Sequence, residues 1–279
     1  MTGANVPAFM QGSAPADTGF DVTDLIIPRV ALMQGISPPV MAGQVENAHF
    51  WHTILEMDLG TDVDVVPILY RKQYNLWNPL HAGGGVLARA SDGRHWDADF
   101  DVQVAPYKDF PKKLVRYSAK AGDPVGRDAG LGVWGSMDPD NADAGPAATV
   151  SHVFMMRALQ YFDIGPFIIF LQRSSESVAR DLMTKIKLVQ DGASKAPMFG
   201  QVFRMSHKGA TNDAGQEYNQ YKFTPNGFIQ SAETFDMLRK EHEEYKVTRF
   251  RTNDEDAQGE AVGGGSGGAA APDSKNDKY

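Results

Sequence analysis

The sequence predicts a mainly β, α+β domain with one long insertion, a C-terminal helix and a flexible tail. Three observations carry that expectation. Short apolar runs bounded by turn residues recur along the chain, as at Val63–Leu69 and Phe167–Gln172. Apolar residues at helical spacing stand out in two segments, one after Ser174-Ser175 and one near Ser231. From Thr252 the chain turns acidic and then Gly/Ser/Ala-rich (GGGSGGAAA), and such a composition buries too little apolar surface to order itself.

Residues 1–20 are small, polar and aperiodic, and read as a flexible N-terminal arm. Residues 21–251 read as a single domain. Leu25–Met33 is a first strand, and Ile36-Ser37-Pro38-Pro39 punctuates it. His49–Met57 is a second strand, so the N-terminal third reads as a β-meander. Asp62–Trp77 (DVDVVPILYRKQYNLW) is the strand around which the rest is organised. Its first half is apolar on both alternating faces, as in a strand inside a sheet. In its second half Tyr70, Lys72 and Tyr74 fall on one face and Arg71 and Trp77 on the other.

Asn78–Ala148 reads as a long insertion with short strands at Val86–Ala90 and Lys113–Ser118. Val150–Leu159 and Phe167–Gln172 are strands, the second a continuous apolar run. Ser174 or Ser175 caps a helix with Val178, Leu182, Ile186 and Val189 on one face, and Gly192 ends it. Met198–Lys208 and Gln216–Phe223 form a hairpin through Asn212-Asp213-Ala214-Gly215. A last helix from Ser231 carries Phe235, Leu238 and Tyr245 as its stripe. A helix between the third and fourth strands of a five-strand set is the plan of an OB-fold-like barrel.

Composition limits the function. The apolar run Gly165–Leu171 is too short to cross a bilayer. The first basic residue is Arg29, with no apolar h-region after it, so no signal peptide is expected. There are no cysteines, which excludes disulfides, thiolate metal sites and cysteine nucleophiles and fits the cytoplasm of a cell. The net charge is −8. Thr252–Tyr279 holds six acids and two lysines, leaving −4 for the body. An anion-binding surface must therefore be a local patch.

Metal and nucleophile signals are sparse. His49 and His52 are three apart, and a strand sends them to opposite sides. The run Asp138-Pro139-Asp140-Asn141-Ala142-Asp143 lacks the Gly and Glu of a calcium loop and reads as a solvated acidic loop. Gly83-Gly84-Gly85 is not followed by Lys-Ser/Thr, so it is no P-loop. Asp97, Asp99 and Asp101 alternate, and with His95 they offer the ligands of a metal-dependent nuclease. No cofactor is expected.

Rings and cations coincide more often. Tyr70, Arg71, Lys72, Tyr74 and Trp77 form a first group. Lys112, Lys113 and Arg116 lie with rings in Tyr107–Lys120, a stretch whose only acid is Asp109. The hairpin adds Arg204 and Lys208 on one strand, and Tyr218 and Lys222 on the other. Bases stack on rings and phosphates pair with cations, so the pattern is that of a single-strand binder. Tyr70, Tyr74, Trp77 and Tyr218 would stack bases. Arg71, Lys72, Lys112, Lys113, Arg116, Arg204 and Lys222 would pair phosphates.

The order from Val150 to Phe223, the helix from Ser231 and the tail resemble phage-encoded single-stranded-DNA-binding proteins of the OB-fold kind with acidic tails. Leu25-Ile26-Ile27-Pro28-Arg29 and Met198–Arg204 (MFGQVFR) also look like pieces of such phage proteins. The family's acidic run ending in Phe is here sparser and ends in Tyr279. The resemblance implies a non-catalytic, sequence-independent protein that coats single strands in phage replication, recombination or repair. It implies single-stranded DNA as ligand, replication or recombination proteins as tail partners, no membrane, and room for a homo-oligomer. A virion component, capsid-decorating or of the tail, is the first alternative, and the nuclease the second.

Overall fold

The structure is a computed structural model, which describes residues 27–78, 85–104, 115–125, 146–193, 195–211 and 215–247. The arm, the hairpin tip at 212–214, the acidic loop at 138–143, Lys112, Lys113 and the tail lie outside the described residues.

Among the described residues eleven strands and three α-helices follow one another. They are β1 (Val30–Leu32), α1 (Pro38–Met41), β2 (Phe50–His52), β3 (Met57–Asp58), β4 (Val63–Trp77), β5 (Val86–Ala90), β6 (Phe100–Val104), β7 (Val115–Ala119), β8 (Ala147–Ala158), β9 (Phe167–Gln172), α2 (Glu176–Asp191), β10 (Gln201–Thr211), β11 (Glu217–Phe228) and α3 (Ala232–Val247). The mainly β, α+β expectation holds. Three details differ. The expected strand His49–Met57 is a hairpin, because Thr53–Glu56 turn and Glu56 takes a left-handed φ of 48°. The Ser175 hydroxyl makes no cap bond at the start of α2. The insertion carries a core of its own, with Trp96, Phe100 and Ala119 packed on Leu76, Ala88 and Ala90.

The main sheet runs β11-β10-β4-β8-β9, with β5 also on β4. Counted along the chain, the five long strands stand in the order fifth, fourth, first, second, third, and α2 joins third to fourth. β4 reaches across the molecule. It pairs β10 at Val63–Val65, β8 from Val65 to Trp77, and β5 from Tyr74 to Trp77. Pro67 lacks an N–H to give the ladder, and the register shifts between Pro67 and Leu69. The sheet is open: among the described residues β9 does not pair β11, so the expected barrel closure is not made. The separate β1-β2-β3 sheet bridges that gap. Arg29 pairs Ile168 of β9 in parallel, and the Tyr221 hydroxyl of β11 accepts from Leu32 N at 2.9 Å.

Both faces of the sheet are covered, which explains why all six residues of β9 are buried. On one face Phe167, Ile169 and Leu171 pack with Phe154, Phe203, Phe223 and the α2 stripe Val178, Ala179, Leu182 and Ile186. On the other, Ile168 and Phe170 pack with Val153, Met155 and Leu238 of α3. Each large side chain removed from water contributes roughly 1.5–3 kcal/mol. Polar contacts fix α3: Arg157 Nη1 donates to Glu241 Oε1 at 2.6 Å, and His242 Nδ1 to Ile68 O at 2.7 Å.

Candidate nucleic-acid interface

The alternation read in β4 is observed, and it separates the predicted residues. Tyr70 packs on the α2-side core, and its hydroxyl meets His152 Nδ1 at 2.8 Å. Burial raises the Tyr70 pKa first, and Tyr74 adds to it. Burial lowers the His152 pKa. Lys72 is exposed, with its ammonium 4.8 Å from the centre of the half-buried Tyr74 ring. On the opposite face the Arg71 guanidinium donates to Tyr245 O at the end of α3, at 2.8 Å. Trp77 is 2% exposed, and its indole N–H donates to Thr149 Oγ1 at 2.7 Å. Arg71 thus anchors a helix, and Trp77 belongs to the interior.

β10 and β11 form a ribbon. Register partners Ser206↔Lys222, Lys208↔Gln220 and Ala210↔Tyr218 place Lys208, Tyr218 and Lys222 on one face. Tyr221 and Phe223 point into the core, so Lys222 between them points away from it. Lys208 and Lys222 are exposed and Tyr218 is half-buried. Neither lysine is in an ion pair among the described residues. Arg204, on the same face, is held by Asp64 through a bidentate pair at 2.5 and 2.9 Å, which raises its pKa. Asn226 also donates to Asp64, at 2.9 Å. Arg204 therefore joins β10 to β4 with its charge neutralised.

Arg116 is exposed on the β6–β7 hairpin, where it pairs with Asp101. This contact raises the pKa of Arg116 and lowers that of Asp101. The predicted residues that are described therefore do not line one groove. Tyr70 and Lys222 lie on opposite faces of the sheet, and Arg116 sits on a separate hairpin. What stays together with its charge toward solvent is the ribbon face, and apart from it the Lys72–Tyr74 pair. Lys208 was legible in the sequence as a hairpin cation. His152 was not, since nothing in a lone histidine of an apolar strand announces a tyrosine partner.

The metal candidates separate as well. Asp97 accepts from Ser91 Oγ at 2.5 Å, Asp99 from Lys120 at 2.8 Å, and Asp101 from Arg116. His95 Nδ1 lies 2.8 Å from Asp92, whose pKa falls to about 2, chiefly through bonds from His95 and Arg94 that outweigh its partial burial. No group of three His, Asp or Glu side chains is placed to hold a metal ion among the described residues. No described helix is long and apolar enough to cross a membrane.

One long strand that pairs β10, β8 and β5, and a cationic ribbon beside its start, define a mainly β, α+β protein without a metal-binding cluster among its described residues. The chain belongs to the Pam3 phage gp34-like protein family, whose model matches residues 1–250, and so it is a phage-type protein. No curated protein and no solved structure matches it.

Proposed function

We propose that this protein is a non-catalytic, sequence-independent single-stranded-DNA-binding protein that acts in phage replication, recombination or repair in the host cytoplasm. The observation that carries the reading is the outer face of the β10–β11 ribbon, where Lys222, Lys208 and Tyr218 follow one another and neither lysine is in an ion pair among the described residues, on a net-acidic chain. Phosphates would pair with Lys208 and Lys222 and a base would stack on Tyr218. Lys72 and Tyr74 offer a second, smaller contact of the same kind. Two further features support the reading. The strand order, with α2 between the third and fourth long strands, is compatible with an OB-like plan left open. The family is one of phage proteins. The acidic tail is the proposed docking segment for replication or recombination proteins.

The test is a titration of fluorescein-labelled oligo-dT followed by anisotropy at 50 and 200 mM salt. Binding is expected at low salt and should weaken severalfold at the higher salt, because released counterions drive it. Affinity indifferent to salt, or no binding, would remove the reading. Stable association with purified particles instead would favour a virion component. Degradation of the oligonucleotide with Mg²⁺ would favour the nuclease.

A further inference from the structure

We infer that the free edge of β10, Ser206–Thr211, pairs with the same edge of a second copy bound to the same DNA strand. β10 pairs β11 as far as Thr211 but pairs β4 only at Phe203–Met205. Beyond Met205 the ribbon therefore has a strand on one side only, among the described residues. Its other edge, on β11, is closed by side chains. The Gln34 amide takes both the N–H and the carbonyl of Asn219, at 2.8 and 2.9 Å, and Lys185 Nζ donates to Phe223 O at 2.8 Å. Among the described residues it is the β10 edge of the ribbon that is open to strand addition.

The sequence of that edge suits its own copy. Ser206, His207, Lys208, Gly209, Ala210 and Thr211 include no acid and no proline. A Cβ placed on Gly209 meets nothing within 4 Å, so a side chain can be introduced on that face without a clash. An antiparallel two-fold pairing centred on Gly209 sets Lys208 opposite Ala210 and His207 opposite Thr211 of the second copy. No like charges then face each other across the join. Centring on Lys208 would oppose two lysines, which disfavours that register. The order becomes β11-β10-β10-β11, and the lysines and tyrosines of both copies fall on one continuous face.

The edge is only about 20 Å long. Pairing it alone buries less than the ~1,200 Å² of a stable interface, so free copies stay separate at ordinary concentrations. Two copies on one strand meet at an effective concentration of about millimolar, and there the pairing forms. The source of that concentration rests on the strand-binding reading above, and the outcome is cooperative coating.

The chain has no cysteine, so one introduced thiol reports cleanly. Directly opposed residues of an antiparallel pair have Cα atoms about 4.5–5.5 Å apart, within reach of a disulfide. Gly209→Cys is expected to cross-link under mild oxidation on long oligo-dT on the order of 10²-fold faster than on an oligonucleotide too short for two copies. The exposed Lys240→Cys on α3 should show no such gain. Gly209→Lys, which opposes two ammonium groups at the axis, should keep its affinity for short oligo-dT and lose cooperativity on long. Equal cross-linking of the two cysteine variants on long DNA overturns the inference, as does unaltered cooperativity in Gly209→Lys. If no DNA is bound at all, Gly209→Cys is read at millimolar protein. Cross-linking there upholds the edge pairing without the strand, and its absence overturns it.

Discussion

Removing the Glu241 carboxylate should detach α3 from the sheet at a cost that the structure lets one estimate. Arg157 and Glu241 side chains are 11% and 16% exposed and meet at 2.6 Å. Breaking a buried pair by deleting one partner costs roughly 3–5 kcal/mol, because a charge is left buried and uncompensated. Here Arg157 keeps its bond to Phe162 O at 2.7 Å and lies 4.2 Å over the Phe162 ring. Those contacts lower the expected loss for Glu241→Ala to about 2–3 kcal/mol. Glu241→Gln keeps the shape and one acceptor, and should cost about 1 kcal/mol at neutral pH. Replacing both partners, as Arg157→Met with Glu241→Leu, should be nearly neutral. Urea denaturation followed by circular dichroism and tryptophan fluorescence reads all three. The pH adds a second signature. Burial raises the Glu241 pKa, with Glu244 adding to it, and Arg157 opposes the shift only in part. A carboxylate raised on folding stabilises below its unfolded pKa, and that contribution is lost as pH rises through the folded value. The stability advantage of the parent over Glu241→Gln should therefore shrink as pH rises above the ordinary carboxylate range. Glu241→Ala within about 0.5 kcal/mol of the parent would refute the docking role of the pair.

Lys208→Gln with Lys222→Gln should reduce the salt slope of single-strand binding by about 1.4, or roughly 2.6-fold in affinity per lysine between 50 and 200 mM salt, whereas Arg116→Gln should leave the slope unchanged. Fluorescence anisotropy reads this directly. Burial depresses the His152 and His52 pKa values. Their contribution is complete above the usual imidazole pKa and is lost as pH falls below it, so the thermal midpoint should drop between pH 7 and 5 and drop less in His152→Gln. Gly93 has φ of 69°, and a Cβ there would run into the Lys72 carbonyl oxygen of β4. Gly93→Ala should destabilise by more than 1 kcal/mol, read by the same urea denaturation.

The strands that were legible were those whose pattern follows from burial. β9 is apolar from Phe167 to Leu171 because helices cover both its faces, and β4 alternates only where its sheet turns partly toward solvent. The hairpin β10–β11 was legible from its turn residues. β6 was not, since Phe100–Val104 mixes acid and amide with apolar residues and owes its place to Trp96 and Phe100 packing at 5.0 Å. Site residues fared differently, because a sequence shows a cation but not its counter-ion. Arg204 and Arg116 read as free charges until Asp64 and Asp101, 140 and 15 residues away, are placed beside them. Trp77 read as a stacking ring, yet its N–H partner Thr149 lies on the neighbouring strand β8.

These neutralised cations bear on how such a protein could hold a polyanion. The chain as a whole is at −8, and Arg71, Arg116, Arg157 and Arg204 are each engaged inside the molecule. A DNA strand gains attraction only within about 8 Å of the ribbon at physiological salt, since screening removes longer-range terms. The two lysines and one ring of the ribbon, with Lys72 and Tyr74 apart from it, would make a weak, salt-sensitive contact. A weak contact per copy coats a strand only if neighbours reinforce one another. The open β10 edge, which lies beside those lysines, is where such reinforcement would join one ribbon face to the next.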